Sequence, residues 1–162
     1  MSKAELRNAA EELIYTGTGL LDERRYDDWL QLTSSSFHYR IGAYSPEIRK
    51  EMTWLEHDRE GLRAMFELLG KHHVDHALWF RQAVVQHVAQ EAPDTLRVLT
   101  RVVIYQTVVD VGDVHVESGS SRLFALARYH DRLALENGSW LLSDRFAQLD
   151  TRQLGIGSHL IV

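Results

Sequence analysis

An α+β fold is predicted, with helices packed on one face of a strongly curved, mainly antiparallel sheet. Three observations predict it. Apolar residues recur at helical spacing through the first seventy or so positions, the period changes to two from residue 78 onward, and an Asn137-Gly138 pair sits between the last two alternating runs. Helices first and consecutive strands after them describe a helical layer on a meander rather than a parallel βαβ sheet.

Taken in order, Leu6, Ala9, Ala10 and Leu13 share the face of an amphipathic helix that continues towards Leu20 and Leu21. After Asp22-Glu23-Arg24-Arg25, a second short helix over Tyr26 to Leu32 places Tyr26, Trp29 and Leu30 on one side, and Ser34-Ser35-Ser36 ends it. Phe37 to Ile41 reads as a short strand, and Gly42 to Thr53, with Pro46 and many polar residues, as a loop. A third helix follows, with Asp58 as its N-cap, Leu62, Met65, Phe66 and Leu69 as its apolar face, and Gly70 as its stop. From residue 78, Phe80, Val84 and Val88 fall on one face of a strand, and Arg81, Ala83, Val85 and His87 belong to the other. Three further strands are expected at about Thr95 to Val109, Glu117 to Leu135 and Ser139 to Leu149, the last two joined by the Asn-Gly turn.

The chain has 162 residues, near the usual size of one domain, with 44% apolar and 25% charged residues. No repeat and no run of glycine, serine or proline divides it, so residues 1–162 are expected to form a single domain. A net charge of −5 with no basic stripe argues against a nucleic-acid partner. The absence of cysteine excludes disulfides, thiolate nucleophiles and any sulfur-ligated zinc or iron–sulfur centre built from this chain. The N-terminus is polar and no 18 apolar residues run together, which predicts no membrane segment and a cytoplasmic location. No glycine-rich dinucleotide loop is present.

Residues 20 to 32 (LLDERRYDDWLQL) and 129 to 151 (YHDRLALENGSWLLSDRFAQLDT), set in this order of helices and strands, carry a family resemblance. The whole chain resembles the nuclear-transport-factor-two-like superfamily, the cystatin-like α+β cone. Within it, Asp131-Arg132-Leu133, Gly138, Trp140, Arg145 and Leu149-Asp150 are similar to the end of the sheet in the small (β) subunits of aromatic-ring-hydroxylating dioxygenases and related Rieske oxygenases. The resemblance implies a non-catalytic subunit that supports a large α subunit carrying a Rieske iron–sulfur cluster and a mononuclear iron, usually as three β with three α. It implies no cofactor in this chain, with NAD(P)H, a reductase and perhaps a ferredoxin supplied by other proteins. Met52 to Arg59 and His72 to His76 depart from the commonest pattern and look like a sub-branch that includes oxygenases of small non-aromatic compounds such as alkanesulfonates.

Several residues invite a site. His72, His73, Asp75 and His76 are metal-ligand types, but their spacing matches no metal signature, and a polar connection or subunit contact is the preferred reading. His38, Tyr39, His130 and Asp144 would supply acid–base groups if their side chains met inside the cone, as in a stand-alone isomerase or dehydratase of this fold; such an enzyme would need an inward carboxylate. A third reading is a small-molecule binding module with no chemistry. Arg145 and Asp150 are expected to form a structural pair or a subunit contact, and Asp131, Arg132 and Trp140 to share that structural or interface role. Trp54, in the polar loop, and the apolar C-terminal residues, among them Leu160 and Ile161, are expected at interfaces. Arg81, Arg97, Arg101, Arg122 and Arg128 recur along the strands, so one sheet face should be wet or covered by another subunit.

Overall fold

The computed structural model describes residues 1–72, 77–109 and 119–151, and of residues 70–72 the backbone alone. Helix α1 (Lys3–Asp22) opens with a capping box: the Glu5 amide donates to Ser2 Oγ at 3.3 Å, and the Ser2 amide donates back to the Glu5 carboxylate at 2.5 Å. Its buried stripe is Leu6, Ala10, Leu13, Ile14, Gly17, Thr18 and Leu21. The helix ends in a Schellman turn, with the Arg24 amide donating to the Leu21 carbonyl and the Arg25 amide to the Leu20 carbonyl, although the left-handed residue is Arg24 (φ 58°) rather than glycine. The arginine has a use there: its guanidinium donates to the Ala77 carbonyl at 2.7 Å, tying the helix end to the sheet.

Helix α2 (Tyr26–Gln31) buries Trp29 and Leu30. Helix α3 (Arg59–His72) is capped by Asp58, whose Oδ1 accepts from the Gly61 amide at 2.8 Å. It runs through Gly70, the residue expected to stop it. A helical glycine costs about 1 kcal/mol relative to alanine but ends a helix only when the left-handed cap follows.

Six strands form one open sheet: β1 (Thr33–Ser45), β2 (Lys50–Asp58), β3 (Leu78–Ala92), β4 (Thr95–Thr107), β5 (Ser121–Glu136) and β6 (Ser139–Leu149), in the order β2-β1-β6-β5-β4-β3. All neighbours are antiparallel except β1 and β6. The Asn137-Gly138 turn has φ of 50° and 83°, the pair of positive angles a two-residue type I′ hairpin requires. α+β is therefore the observed class, and the four-strand meander lies where the period predicted it.

The expected loop over residues 42–53 is instead the second half of β1, a turn, and the first part of β2. The pattern hid it for two reasons. β2 is an edge strand and is largely exposed along its length, so it carries charged residues in place of alternating apolar ones. β1 buries Phe37, Tyr39, Ile41 and Ala43 on one face, but that phase then ends on the polar Ser45 and the opposite phase holds Gly42 among polar residues. Trp54 accordingly lies on β2, where the register jumps between Ile41 and Gly42 and leaves it as an extra residue. Gly42 has its own reason: a Cβ there would sit 2.6 Å from the Met52 carbonyl oxygen and 3.1 Å from the Phe146 ring. Gly42→Ala is expected to lower stability by about 1–3 kcal/mol through overpacking, read as a drop in the urea midpoint.

Helices cover one face of the sheet. Between them lies a core in which Trp29 meets Phe37, Tyr39 and Phe66 edge-on at 5.7, 6.5 and 6.1 Å, while Tyr26 stacks on Phe66 at 4.3 Å. Trp79 is also buried and Trp140 packs half-buried against this core. Arg81 departs from Arg97, Arg101, Arg122 and Arg128. It points inward with Trp79 and Val85, pairs with Asp22 of α1, and donates its backbone amide to the same carboxylate at 2.9 Å.

Candidate functional site in the sheet interior

The deepest polar group on the helix-covered face is built from three adjacent strands. Tyr129 and Asp131 lie two residues apart on β5 and so face the same way, and the register sets Asp131 opposite Arg145 of β6, which in turn lies opposite Tyr39 of β1. Arg145 donates through Nε to Asp131 Oδ1 and through Nη2 to Oδ2, both at 2.8 Å. Its Cζ stands 4.1 Å from the centre of the Tyr129 ring. Both charged residues are only 1% exposed.

A buried pair of this kind is bidentate, charge-assisted and dry. Burial pushes the Asp131 carboxyl up and the Arg145 guanidinium pulls it back, and the fork geometry fits the carboxylate anion. Burial alone would lower Arg145, yet the Asp131 charge and hydrogen bonds hold it above a free arginine. Burial likewise pushes the Tyr129 hydroxyl up, so it stays neutral in the physiological range. Asp131 is the inward carboxylate that a stand-alone enzyme of this fold would need. Here each of its oxygens accepts a bond from Arg145, and taking a proton from a bound molecule would cost the charge that holds the pair.

The candidate acid–base residues do not converge in this interior. His38 lies on the opposite, outward face, where Nε2 contacts Glu56 at 2.8 Å and Nδ1 contacts Asp144 at 3.3 Å, all three side chains being more than a third exposed. His130 also faces outward, against Gln148 at 3.1 Å and stacked on Phe146 at 5.9 Å. Tyr39 alone of the four is inside. Arg145 and Asp150 do not pair with each other: Arg145 belongs to Asp131, and Asp150 accepts from Arg128 at 2.5 Å. The strand phase explains this, because residue 145 is in the inward phase of β6 and residue 150 lies beyond its end. Arg132, outward, meets Glu91 at 3.2 Å.

A crevice of about 350 Å³ opens between α1 and the start of β6, floored by Ala9, Leu13, Leu32 and Trp140 and rimmed by Glu12, Thr16 and Ser139. Among the described residues no three His, Asp or Glu side chains gather as a metal-ligand set, and no helix is long and apolar enough to cross a membrane. His73, Asp75, His76, Leu160 and Ile161 lie outside the described residues, as does the side chain of His72.

No family model matches the chain. Methanesulfonate monooxygenase hydroxylase subunit beta of Methylosulfonomonas methylovora is 37% identical over 98% of this chain and 90% of its own length. The 2-aminobenzenesulfonate 2,3-dioxygenase subunit beta of an Alcaligenes species is 30% identical over 92% of this chain and 94% of its own. The chain belongs to this family of oxygenase β subunits. Solved structures agree on the fold of the β subunit. The beta subunit of a putative aromatic-ring-hydroxylating dioxygenase from Novosphingobium aromaticivorans superposes with a TM-score of 0.79 at 18% identity, over 99% of this chain and 100% of that one. A Nostoc punctiforme protein described as having a cystatin-like fold gives 0.58 at 16% identity, over 90% and 92%.

Within the β subunit, sequence reasoning singled out Asp131 and Arg145 but missed that they pair, and it missed Tyr129 and the Arg81–Asp22 link. A signal was present. Counting by twos back from Leu133 puts Asp131 and Tyr129 in the inward phase, and back from Leu149 puts Arg145 there, so opposite charges shared the buried face of neighbouring strands.

Proposed function

We propose that this chain is the non-catalytic β subunit of a terminal oxygenase, working in the cytoplasm as one domain. Three copies would assemble with three large subunits that carry the Rieske cluster and the mononuclear iron. The observation that carries the non-catalytic role is the Asp131–Arg145 pair, which closes the interior where a cone-pocket enzyme would place its working carboxylate. The outward position of His38, His130 and Asp144 supports the same reading. This chain has no cysteine with which to hold an iron–sulfur centre, so the redox groups fall to the partner. Both curated relatives have a sulfonate in their names, and on that ground the substrate of the assembled oxygenase is read as a small sulfonated organic compound.

Affinity purification of the chain from its host, followed by mass spectrometry and a visible spectrum, tests this. A large subunit with an iron–sulfur absorption should accompany it, and the complex should consume oxygen and a reductant when an organosulfonate is added. A colourless chain emerging alone as a dimer would end the oxygenase reading.

A further inference from the structure

β3 is an edge strand, paired with β4 on one side and with no strand on the other among the described residues. From Leu78 to Val85 it reads Leu-Trp-Phe-Arg-Gln-Ala-Val-Val, without glycine or proline, and its one charge, Arg81, is turned inward. An apolar strand with an open row of amides and carbonyls is a template on which a second chain can add. β2, at the opposite edge, is guarded by its charged, exposed residues. β3 has no such charges and needs another guard.

Helix α1 supplies it, because its side chains reach the open side of β3 at every fourth strand residue. The Arg7 guanidinium donates to the Val85 carbonyl at 2.9 Å, and the Tyr15 hydroxyl accepts from the Val85 amide at 3.4 Å. Asp22 accepts from the Arg81 amide at 2.9 Å, and Arg24, just past the helix, donates to the Ala77 carbonyl at 2.7 Å. The order along the helix is reversed along the strand, so the two run antiparallel. Their lengths agree: about 26 Å from Arg7 to Arg24 at the rise of a helix, and about 26 Å from Ala77 to Val85 at the rise of a strand. Arg7, Tyr15 and Asp22 share one side of α1, next to its buried stripe. Glu11, one turn further on, holds Arg7 at 2.8 Å.

We propose that Arg7, Tyr15, Asp22 and Arg24 act as a surrogate seventh strand, and that this row of side chains keeps the β3 edge from pairing with the β3 edge of a second copy. Such a guard serves the chain whether or not a large subunit is bound, so it stands apart from the oxygenase reading.

The test uses the full-length double variant Arg7→Ala/Tyr15→Phe, at two half-exposed positions where neither change opens the core. Hydrogen exchange at the Val85 amide should speed up roughly fivefold or more, the worth of one hydrogen bond. The Arg81 amide, still held by Asp22, should exchange as before. Light scattering at rising concentration should show the variant growing beyond the mass of the wild-type chain. Adding Ala83→Pro should return it to the wild-type mass. Residue 83 shares the strand phase of residues 81 and 85, so its amide faces the same open side, and a proline there removes a donor that an added strand requires. If the double variant does not fold, Tyr15→Phe alone, which deletes one oxygen, carries the exchange measurement. Unchanged Val85 exchange in either variant, a double variant that keeps the wild-type mass, or growth that Ala83→Pro does not reverse would each overturn the proposal.

Discussion

Arg145→Met is expected to destabilise the fold by about 3–5 kcal/mol, the usual cost of removing one partner from a buried ion pair. The reason lies in what remains: Asp131 would keep a carboxylate that is 1% exposed and has lost both of its 2.8 Å donors. Taking a proton would relieve the charge at neutral pH only at a further cost, since an aspartate must then hold its proton well above its ordinary range. The size of the loss is not a measure of how much the pair stabilises the native chain, because desolvating both ions offsets most of their attraction. The double variant Arg145→Met/Asp131→Leu should therefore recover most of the loss, and a double-mutant cycle by urea unfolding gives the coupling directly. Arg145→Met unfolding at the wild-type midpoint would show that the interior tolerates a lone carboxylate and that this account of the pair is mistaken.

Trp29→Ala is expected to cost a similar 3–5 kcal/mol, this time by opening a cavity. Trp29 has no exposed surface and touches three aromatics: Phe37 and Tyr39 from β1, and Phe66 from α3. It also lies against α1, where Gly17 lets the helix come close; a Cβ on Gly17 would be 3.4 Å from the indole nitrogen. Four elements thus share one side chain, and the hole cannot be closed by moving a single neighbour. Trp29→Phe should retain more than half of the lost stability, because the transfer term is largely kept. Thermal melts of the two variants check the ordering, and equal losses for both would show that side-chain volume does not set the cost. Small domains carry about 5–15 kcal/mol in total, so either alanine- or methionine-type loss would leave a substantial unfolded fraction in the cell.

The parts of this fold that were legible in the sequence are those where one physical signal dominates. α1 and α3 show long apolar stripes with an acid or hydroxyl cap, and β3 to β6 show a period of two punctuated by turn residues. β2 was illegible because an edge strand is selected for charge, which is also what a loop looks like. The arginines misled for a related reason. A sequence displays which strand residues are charged but not which phase is buried, and Arg81 occupies the phase of Trp79 and Val85 because Asp22, 59 residues away in the chain, waits there to receive it. The candidate site was half legible. The family pattern marked Asp131 and Arg145, but that they pair depended on strand register, and the acid–base candidates fell outside the interior because His38 and Asp144 lie in the outward phase.

The single parallel pairing, β1 beside β6, has a consequence for the order of events during synthesis. β3 and β4, and β5 and β6, close through two-residue turns, and every pairing in the meander joins strands adjacent in the chain, so its contacts are local and inexpensive in chain entropy. β1 must instead find a partner more than a hundred positions later, as His38 does with Asp144 across 106 residues. On the ribosome the three helices and the β1–β2 hairpin emerge first and have no sheet to join until the last strand has left the exit tunnel. The N-terminal half therefore spends most of translation with Phe37, Tyr39 and the apolar stripe of α1 lacking the sheet that covers them in the finished fold, which makes the β1–β6 pairing the last long-range contact the chain can form during synthesis.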